Sequence, residues 1–147
     1  MKPKFLILLV DDNAQLIDLL QRASRENFPE ASFIQVCNTT EAIAYIDQLD
    51  GDGPKLVLLD IDLGNGKSGF DFLTFLQAHP EGRFVPVVML TVNQVPSAIV
   101  AAYSTGASSF IVKPFSFEKW KQYFVTLRQY WFDTVTIAPS RFYKRVH

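Results

Sequence analysis

A chain of 147 residues, nearly half of them hydrophobic and a fifth charged, has the size and composition of one soluble globular domain. Its formal net charge of −1 gives no electrostatic reason to expect nucleic acid or an anionic membrane as a partner. A single cysteine, Cys37, excludes an internal disulfide and fits a reducing compartment.

The first apolar run, Phe5–Val10, is too short for a signal peptide or a membrane span, so we expect a cytoplasmic protein. Continuous apolar runs without polar alternation are typical of strands in a parallel sheet that is covered on both faces. Four runs have this character: Phe5–Val10, Leu56–Leu59, Val87–Leu90 and Phe110–Val112. Ser32–Cys37 is more mixed, which predicts a strand nearer an edge of the sheet.

Helical patterns alternate with these strands. Their signals, in chain order, are an apolar face at Leu16, Leu19, Leu20 and Ala23, a capping box at Asn38–Glu41, a cap at Ser68, a weaker helix Ser97–Thr105 closed by Gly106, and a cap at Ser116. The alternation predicts an α/β fold with a doubly wound, five-stranded parallel sheet of flavodoxin-like topology. We expect this domain to cover residues 1–133, and residues 134–147 to form a short C-terminal tail.

Polar residues stand at the carboxyl ends of the predicted strands. The first strand ends in Asp11 and Asp12, the third in Asp60, the fourth in Thr91 and the fifth in Lys113. In an open α/β sheet, ligands bind beyond these ends of the strands. Any one of these residues could be a helix cap or a solvated side chain, but all five together predict one pocket.

Three crowded carboxylates repel one another and need a cation, for which the oxygen-seeking Mg²⁺ is the natural choice. We expect Mg²⁺ on Asp11, Asp12 and Asp60, where it would neutralise the pocket and orient an incoming phosphoryl group. Asp60 could then act as the nucleophile that forms an acyl phosphate. Lys113 and Thr91 would hold the phosphoryl oxygens, so the chemistry depends mainly on positioning and charge stabilisation.

These five positions match the motif of the response-regulator receiver domain, which the chain resembles over roughly residues 4 to 131. The resemblance implies that Asp60 accepts a phosphoryl group from the phosphohistidine of a sensor histidine kinase. It implies that Asp11, Asp12 and the backbone carbonyl of Asp62 are Mg²⁺ ligands. It implies no catalysis beyond the protein's own phosphotransfer and dephosphorylation, so we do not expect an enzyme in the ordinary sense.

The receiver motif also implies a conformational switch. The family couples the Ser/Thr position, here Thr91, to an aromatic residue on the last strand, here Phe110. Its Lys-Pro bond is commonly cis, which makes Lys113–Pro114 a candidate cis peptide. We expect output at the face formed by the fourth helix, fifth strand and fifth helix. Because only about fifteen residues follow the last helix, we expect protein–protein contacts rather than an attached output domain.

The chain departs from the family pattern in the loop after Asp60, which reads L-G-N-G-K-S-G where Met-Pro and then Asp-Gly are usual. A single-residue insertion explains why Gly69 and Thr91 both come one position late. Val92 replaces a small residue and is expected to hinder access to the phosphoryl group. Two further residues stand at positions that tune the lifetime of the acyl phosphate, namely Asp62 and Asn93.

A narrower resemblance lies in the last helix and tail. Gln129–Pro139 is similar to the ending of stand-alone receivers that are paired with phytochrome-type sensor kinases. It implies a homodimer and a light-sensing kinase as partner, although packing of Trp131 and Phe132 onto the sheet is an equal alternative. We expect the partner contact at exposed aromatic and basic residues, which are Tyr130, Arg141 and Tyr143.

Other functions compete for the same residues. The G-K-S of a P-loop lacks the glycine five positions before Gly66, where Ile61 stands, so we interpret Gly64, Gly66 and Gly69 as a turn into a helix. Asp60-Ile61-Asp62 has the spacing of a D-x-D phosphatase, but that class carries it on the first strand and uses a substrate-selecting cap. An FMN carrier would need a Ser/Thr/Gly-rich loop where this chain has D-D-N-A. A phosphorylation-independent docking module stays open.

Overall fold

The computed structural model describes residues 4–63, 68–92 and 94–145. The strands are β1 (Phe5–Val10), β2 (Ala31–Val36), β3 (Gly51–Asp52), β4 (Leu56–Asp60), β5 (Val87–Thr91), β6 (Ser109–Val112) and β7 (Arg141–Phe142). The α-helices are α1 (Leu16–Asn27), α2 (Thr39–Gln48), α3 (Gly69–Ala78), α4 (Pro96–Thr105) and α5 (Phe117–Leu127). A 3₁₀ turn spans Gly82–Phe84, and a π-helical segment, Arg128–Thr134, continues α5.

Five parallel strands form the central sheet in the order β2-β1-β4-β5-β6. This is the doubly wound order in which the first strand lies beside both the second and the next long strand. The predicted α/β fold is therefore confirmed, and the mixed run on β2 is an edge strand as expected. None of the described helices has the length and apolarity that a membrane crossing requires.

Strand alternation divides the core into two layers. On β4, Val57 and Leu59 face a layer shared with α2, α3 and α4, whereas Leu56 and Leu58 face a layer shared with α1 and α5. A strand that is apolar at every position can supply both layers, because successive side chains point to opposite faces. The continuous apolar runs in the sequence are explained by this arrangement.

Local caps set the helix ends near the sheet. The Asn38 side chain accepts a hydrogen bond from the Glu41 N–H at 2.8 Å, and the Glu41 carboxylate accepts one from the Cys37 N–H at 3.1 Å, a reciprocal arrangement like a capping box. At the starts of α3 and α5 the cap is one-sided, because the Ser68 hydroxyl accepts the Phe70 N–H and the Ser116 hydroxyl accepts the Lys119 N–H. Gly106 ends α4 with φ +114°, a left-handed conformation that favours glycine.

Two expectations about the backbone have different outcomes. No peptide bond is cis in the described part of the chain, so the expectation of a cis Lys113–Pro114 bond is wrong for this structure. The trans form is the ordinary one even before proline, where it is favoured by about 0.5–1 kcal/mol. The interpreted turn at Gly64 and Gly66, and the lifetime-tuning position Asn93, lie outside the described residues.

The C-terminal tail contains a strand that the sequence pattern did not predict. β7 pairs antiparallel with β3, so the tail returns to the connection between α2 and β4. Phe142 is completely buried in the layer formed with α2 and α3, and its ring centroid lies 5.7 Å from that of His79. A side chain at Gly53 would overlap the Phe142 ring, which explains the glycine there.

Polar contacts of Arg145 hold the end of this tail. Its backbone N–H donates to the Asp47 carbonyl at 3.0 Å, and its guanidinium lies 3.4 Å from the Glu81 carboxylate. Beside it, His79 Nδ1 accepts the Gly82 N–H at 2.9 Å. Burial lowers the pKa of His79, and the neighbouring Arg145 charge lowers it further. Acceptance of the Gly82 N–H requires that Nδ1 of His79 carries no proton.

We expect Phe142→Ala to lower the free energy of unfolding by about 3 kcal/mol, because it removes a fully buried aromatic ring. Tyr143→Ala is the matched control, since Tyr143 is 59% exposed and its truncation is expected to change stability by less than about 0.5 kcal/mol. Urea unfolding followed by circular dichroism measures both. Equal stability of the two variants would contradict docking of the tail through Phe142.

Candidate functional site

The site forms where four parallel strands end at one edge of the sheet. Asp60 and Thr91 are the last residues of β4 and β5, and Asp11 and Lys113 directly follow β1 and β6. The Lys113 N–H donates to the Thr91 carbonyl at 2.7 Å, which fixes the end of β6 against β5. The side chains that the strand ends were predicted to bring together therefore share this edge.

The three carboxylates of the predicted metal site do converge. One oxygen from each of Asp11, Asp12 and Asp60 lies within 4.8 Å of the others. Asp11 is fully buried and Asp60 nearly so, whereas Asp12 is exposed at the mouth of the site. A set of carboxylate oxygens that opens to solvent on one side suits a hard divalent cation that keeps part of its water shell. The residues thus fit the predicted kind of metal.

Lys113 compensates part of this negative charge. Its Nζ lies 2.5 Å from Asp11 Oδ2 and 3.4 Å from Asp60 Oδ2. Burial by itself would lower the pKa of Lys113, but the hydrogen bonds and attraction from the two carboxylates outweigh it and raise the pKa. The lysine is therefore a fixed positive charge between two acids and not a candidate general base.

Asp60 lies in an environment that disfavours its charged form. Burial raises its pKa to about 6, against the opposing effects of Lys113 and of the hydrogen bond from the Asp62 N–H, and the nearby Asp11 raises it further. The Asp62 N–H donates to Asp60 Oδ1 at 3.0 Å, so one carboxylate oxygen is held by the backbone and the other faces Lys113. A cation at the site would favour the ionised carboxylate.

Gly69, which the sequence pattern placed in a turn into a helix, is the first residue of α3, and its close approach to Asp60 is a role that the pattern did not indicate. Its N–H donates to the Ile61 carbonyl at 2.7 Å, so the first residue of α3 lies against the end of β4. A side chain at Gly69 would overlap the carbonyl oxygen of Asp60, which belongs to the backbone and cannot swing aside. The glycine therefore allows α3 to begin directly beside Asp60. In the sequence, Gly69 was notable because it comes one position later than the glycine of the family pattern.

The proposed switch residues lie on one face of neighbouring strands. Thr91 is buried opposite Val112, and Phe110, opposite Met89, is half-buried against the layer formed with α2, α3 and α4. The coupling of Thr91 to Phe110 stays a prediction, as does the role of the Asp62 carbonyl. Val92, expected to hinder access, is 66% exposed directly after β5.

Comparisons with known proteins converge on one family. The sequence model of the response regulator receiver domain family matches residues 7–124 of this chain. The probable methanogenesis regulatory protein FilR2 of Methanothrix harundinacea is 31% identical over 86% of this chain and 83% of its own. Response regulator Rcp1 of Synechocystis is 24% identical over 94% of this chain and 96% of its own, and its Mn²⁺-bound crystal structure superposes with a TM-score of 0.78.

A second solved structure agrees. The phosphorylated cyanobacterial phytochrome response regulator RcpA is 27% identical and superposes with a TM-score of 0.80, covering 91% of this chain and 98% of its own. Both superpositions cover at least 91% of this chain, so the structural similarity includes the helices as well as the strands that carry the acidic residues.

We expect Gly69→Ala to lower the free energy of unfolding by about 1–3 kcal/mol, because the added methyl group forces the start of α3 away from the Asp60 carbonyl. Thr74→Ala, an exposed change inside the same helix, is the control and is expected to stay within about 0.5 kcal/mol of the native chain. Chemical unfolding at pH 7.5 measures both. A Gly69→Ala chain as stable as the control would show that this close approach is not required.

Proposed function

The chain belongs to the response regulator receiver domain family of two-component signalling, and we propose that it is a single-domain response regulator phosphorylated on Asp60 by a sensor histidine kinase. The observation that carries this proposal is the convergence of Asp11, Asp12, Asp60 and Lys113 at one edge of the sheet. Proteins of this family signal and are not enzymes in the ordinary sense. We place the signalling in the cytoplasm, in keeping with the reducing compartment that a lone cysteine suggests.

We further propose that the cofactor is Mg²⁺, held by the carboxylates of Asp11, Asp12 and Asp60 and by the backbone carbonyl of Asp62. The clustered oxygens support this, as does the binding of Mn²⁺ by the similar Rcp1. When bound, the ion would neutralise the carboxylates and align the phosphoryl oxygens for transfer.

In the transfer itself, a carboxylate oxygen of Asp60 bonds to phosphorus. The phosphorus–nitrogen bond of the donor phosphohistidine breaks, and its electron pair leaves with the imidazole. Lys113 already lies 3.4 Å from Asp60 Oδ2, so its ammonium can pair with a phosphoryl oxygen after small movement. The Thr91 hydroxyl would hold another oxygen. These residues act by position and charge, which is the main requirement of phosphoryl transfer.

For the output we propose contacts with other proteins. α4, β6 and the loop after it expose large apolar side chains, among them Tyr103 and Phe115, the latter 85% exposed. Phosphorylation would bias this face through Thr91 and Phe110. Tyr130 and Tyr143 are also more than half exposed, which supports the expected partner surface in the last turn and tail. The similarity to a phytochrome response regulator supports a phytochrome-type kinase as the partner.

We expect acetyl phosphate to add one phosphoryl group, about 80 Da by intact mass, to the native chain in a Mg²⁺-dependent reaction. Asp60→Asn keeps the side-chain shape without the nucleophile and should gain nothing, whereas Asp52→Asn, an exposed carboxylate change on β3, should react like the native chain. Absence of any adduct, with no phosphate released, would favour the docking module. Steady hydrolysis of unrelated phosphate esters would favour the D-x-D phosphatase.

We expect the chain to form a homodimer, which sedimentation velocity would detect as a species of twice the 16.7 kDa monomer mass. Tyr130→Ser should shift the equilibrium toward monomer, because an exposed aromatic at an interface contributes more than its neighbours. Val125→Ser removes another exposed apolar side chain, which lies on α5 five residues before Tyr130, and serves as the control. A monomer at every concentration, with and without acetyl phosphate, would rule the dimer out.

A further inference from the structure

The loop between β1 and α1 presents the two acidic residues of the site, and one side chain outside the loop holds it. Gln35 lies next to the end of β2, opposite Leu9 of β1. Its Nε2 donates to the Asp11 carbonyl at 2.8 Å and to the Asn13 carbonyl at 2.7 Å. A glutamine amide has two N–H groups, and both are used on this loop.

The two hydrogen bonds fall on either side of Asp12. Because the carbonyls before and after it are fixed to the same amide, the backbone of Asp12 is held in one conformation, with its carboxylate at the solvent side of the cluster. Inside the loop, the Asn13 N–H donates to Asp11 Oδ1 at 2.9 Å, which leaves Asp11 Oδ2 for Lys113. The orientation of both acids therefore depends on the same short segment.

The orientation of the amide follows from its partners, since the reverse orientation would place Gln35 Oε1 against two carbonyl oxygens. In the orientation observed, Oε1 is buried and has no hydrogen-bond partner among the described residues. A buried acceptor of this kind opposes folding and offsets part of what the two hydrogen bonds to the loop contribute. The side chain is therefore a small net contributor to stability but a strong constraint on loop geometry.

We propose that Gln35 is a positioning residue of the acidic site, which sets the β1–α1 loop in the conformation needed for divalent-cation binding. It is not assigned as a cation ligand; it acts through its hydrogen bonds to the carbonyls of Asp11 and Asn13. This inference rests on the proposed function, because it concerns the cation that the phosphotransfer would use.

Gln35→Met tests the proposal, since methionine is close in size and removes both the donors and the buried acceptor. Each metal-free variant is titrated with Mg²⁺ alone by calorimetry, and its thermal unfolding is measured in EDTA. We expect the Mg²⁺ dissociation constant to rise roughly 10-fold, as for other residues that orient metal ligands, with little change in melting temperature. Gln48→Met makes the same chemical change on the exposed surface of α2 and should leave the affinity unchanged.

Backbone amide exchange in the metal-free proteins gives a readout that does not require the cation. We expect the Asn13 and Gln15 amides to exchange several-fold faster in Gln35→Met. These amides donate to the side chains of Asp11 and Asn13, and the backbone of those two residues is no longer fixed by Gln35. If Gln35→Met does not fold, Gln35→Asn takes its place, since its amide is one methylene short of the carbonyls and should give the same changes.

The outcomes separate the two proposals. A native chain that binds no Mg²⁺ refutes the proposed cofactor, and amide exchange then decides the role of Gln35. A native chain that binds Mg²⁺ beside a Gln35→Met chain of equal affinity overturns the positioning role and leaves the proposed function intact. A lower melting temperature with unchanged affinity and unchanged loop exchange also overturns it, because it shows that Gln35 only ties β2 to the sheet.

Discussion

The ion pairs of Lys113 with Asp11 and Asp60 are the interaction on which the site depends. Asp11 is fully buried and Asp60 nearly so, their carboxylates lie within a few ångströms of each other, and the exposed Asp12 adds a third like charge. Lys113 compensates them from the end of β6, the strand at the far side of β5. The arrangement needs all four strand ends at one edge, and a doubly wound parallel sheet supplies this.

Lys113 does not offset the cost of burying Asp60, whose pKa stays raised mainly because the carboxyl group is removed from water, with a further contribution from Asp11. With a pKa raised to about 6 in the folded protein, Asp60 binds its proton more tightly when folded than when unfolded. Its contribution to stability is therefore favourable below its usual pKa near 3.8 and is lost as the pH rises toward 6 and above. In the metal-free protein at neutral pH, the ionised Asp60 carboxylate therefore opposes folding. A divalent cation would reverse this, because it stabilises the charged form.

The site was predictable from sequence because each strand end is a local signal. An apolar run followed by Asp, Thr or Lys indicates both a strand and the polar side chain at its carboxyl end. Because the strands are parallel, these side chains all lie at the same edge of the sheet. Contacts between residues that are far apart in the sequence have no such local pattern. A two-residue strand at Phe142 is visible only with its partner β3, which is equally short. Gln35 is one of two polar residues in the mixed run of β2, and its hydrogen bonds to Asp11 and Asn13 depend on the register of β2 beside β1.

The tail and the acidic site act on opposite sides of the stability balance. Phe142 fills the layer that α2 and α3 form on the sheet, which adds buried apolar area without any charge. The end of β4, in contrast, holds the Asp60 carboxylate, whose ionised form is disfavoured by burial. The layer that buries Phe142 also receives the half-buried Phe110 of β6. Phe142 is fully buried in this layer and Phe110 only half-buried, so the ring of Phe110 has less buried contact to lose in the switch proposed for it.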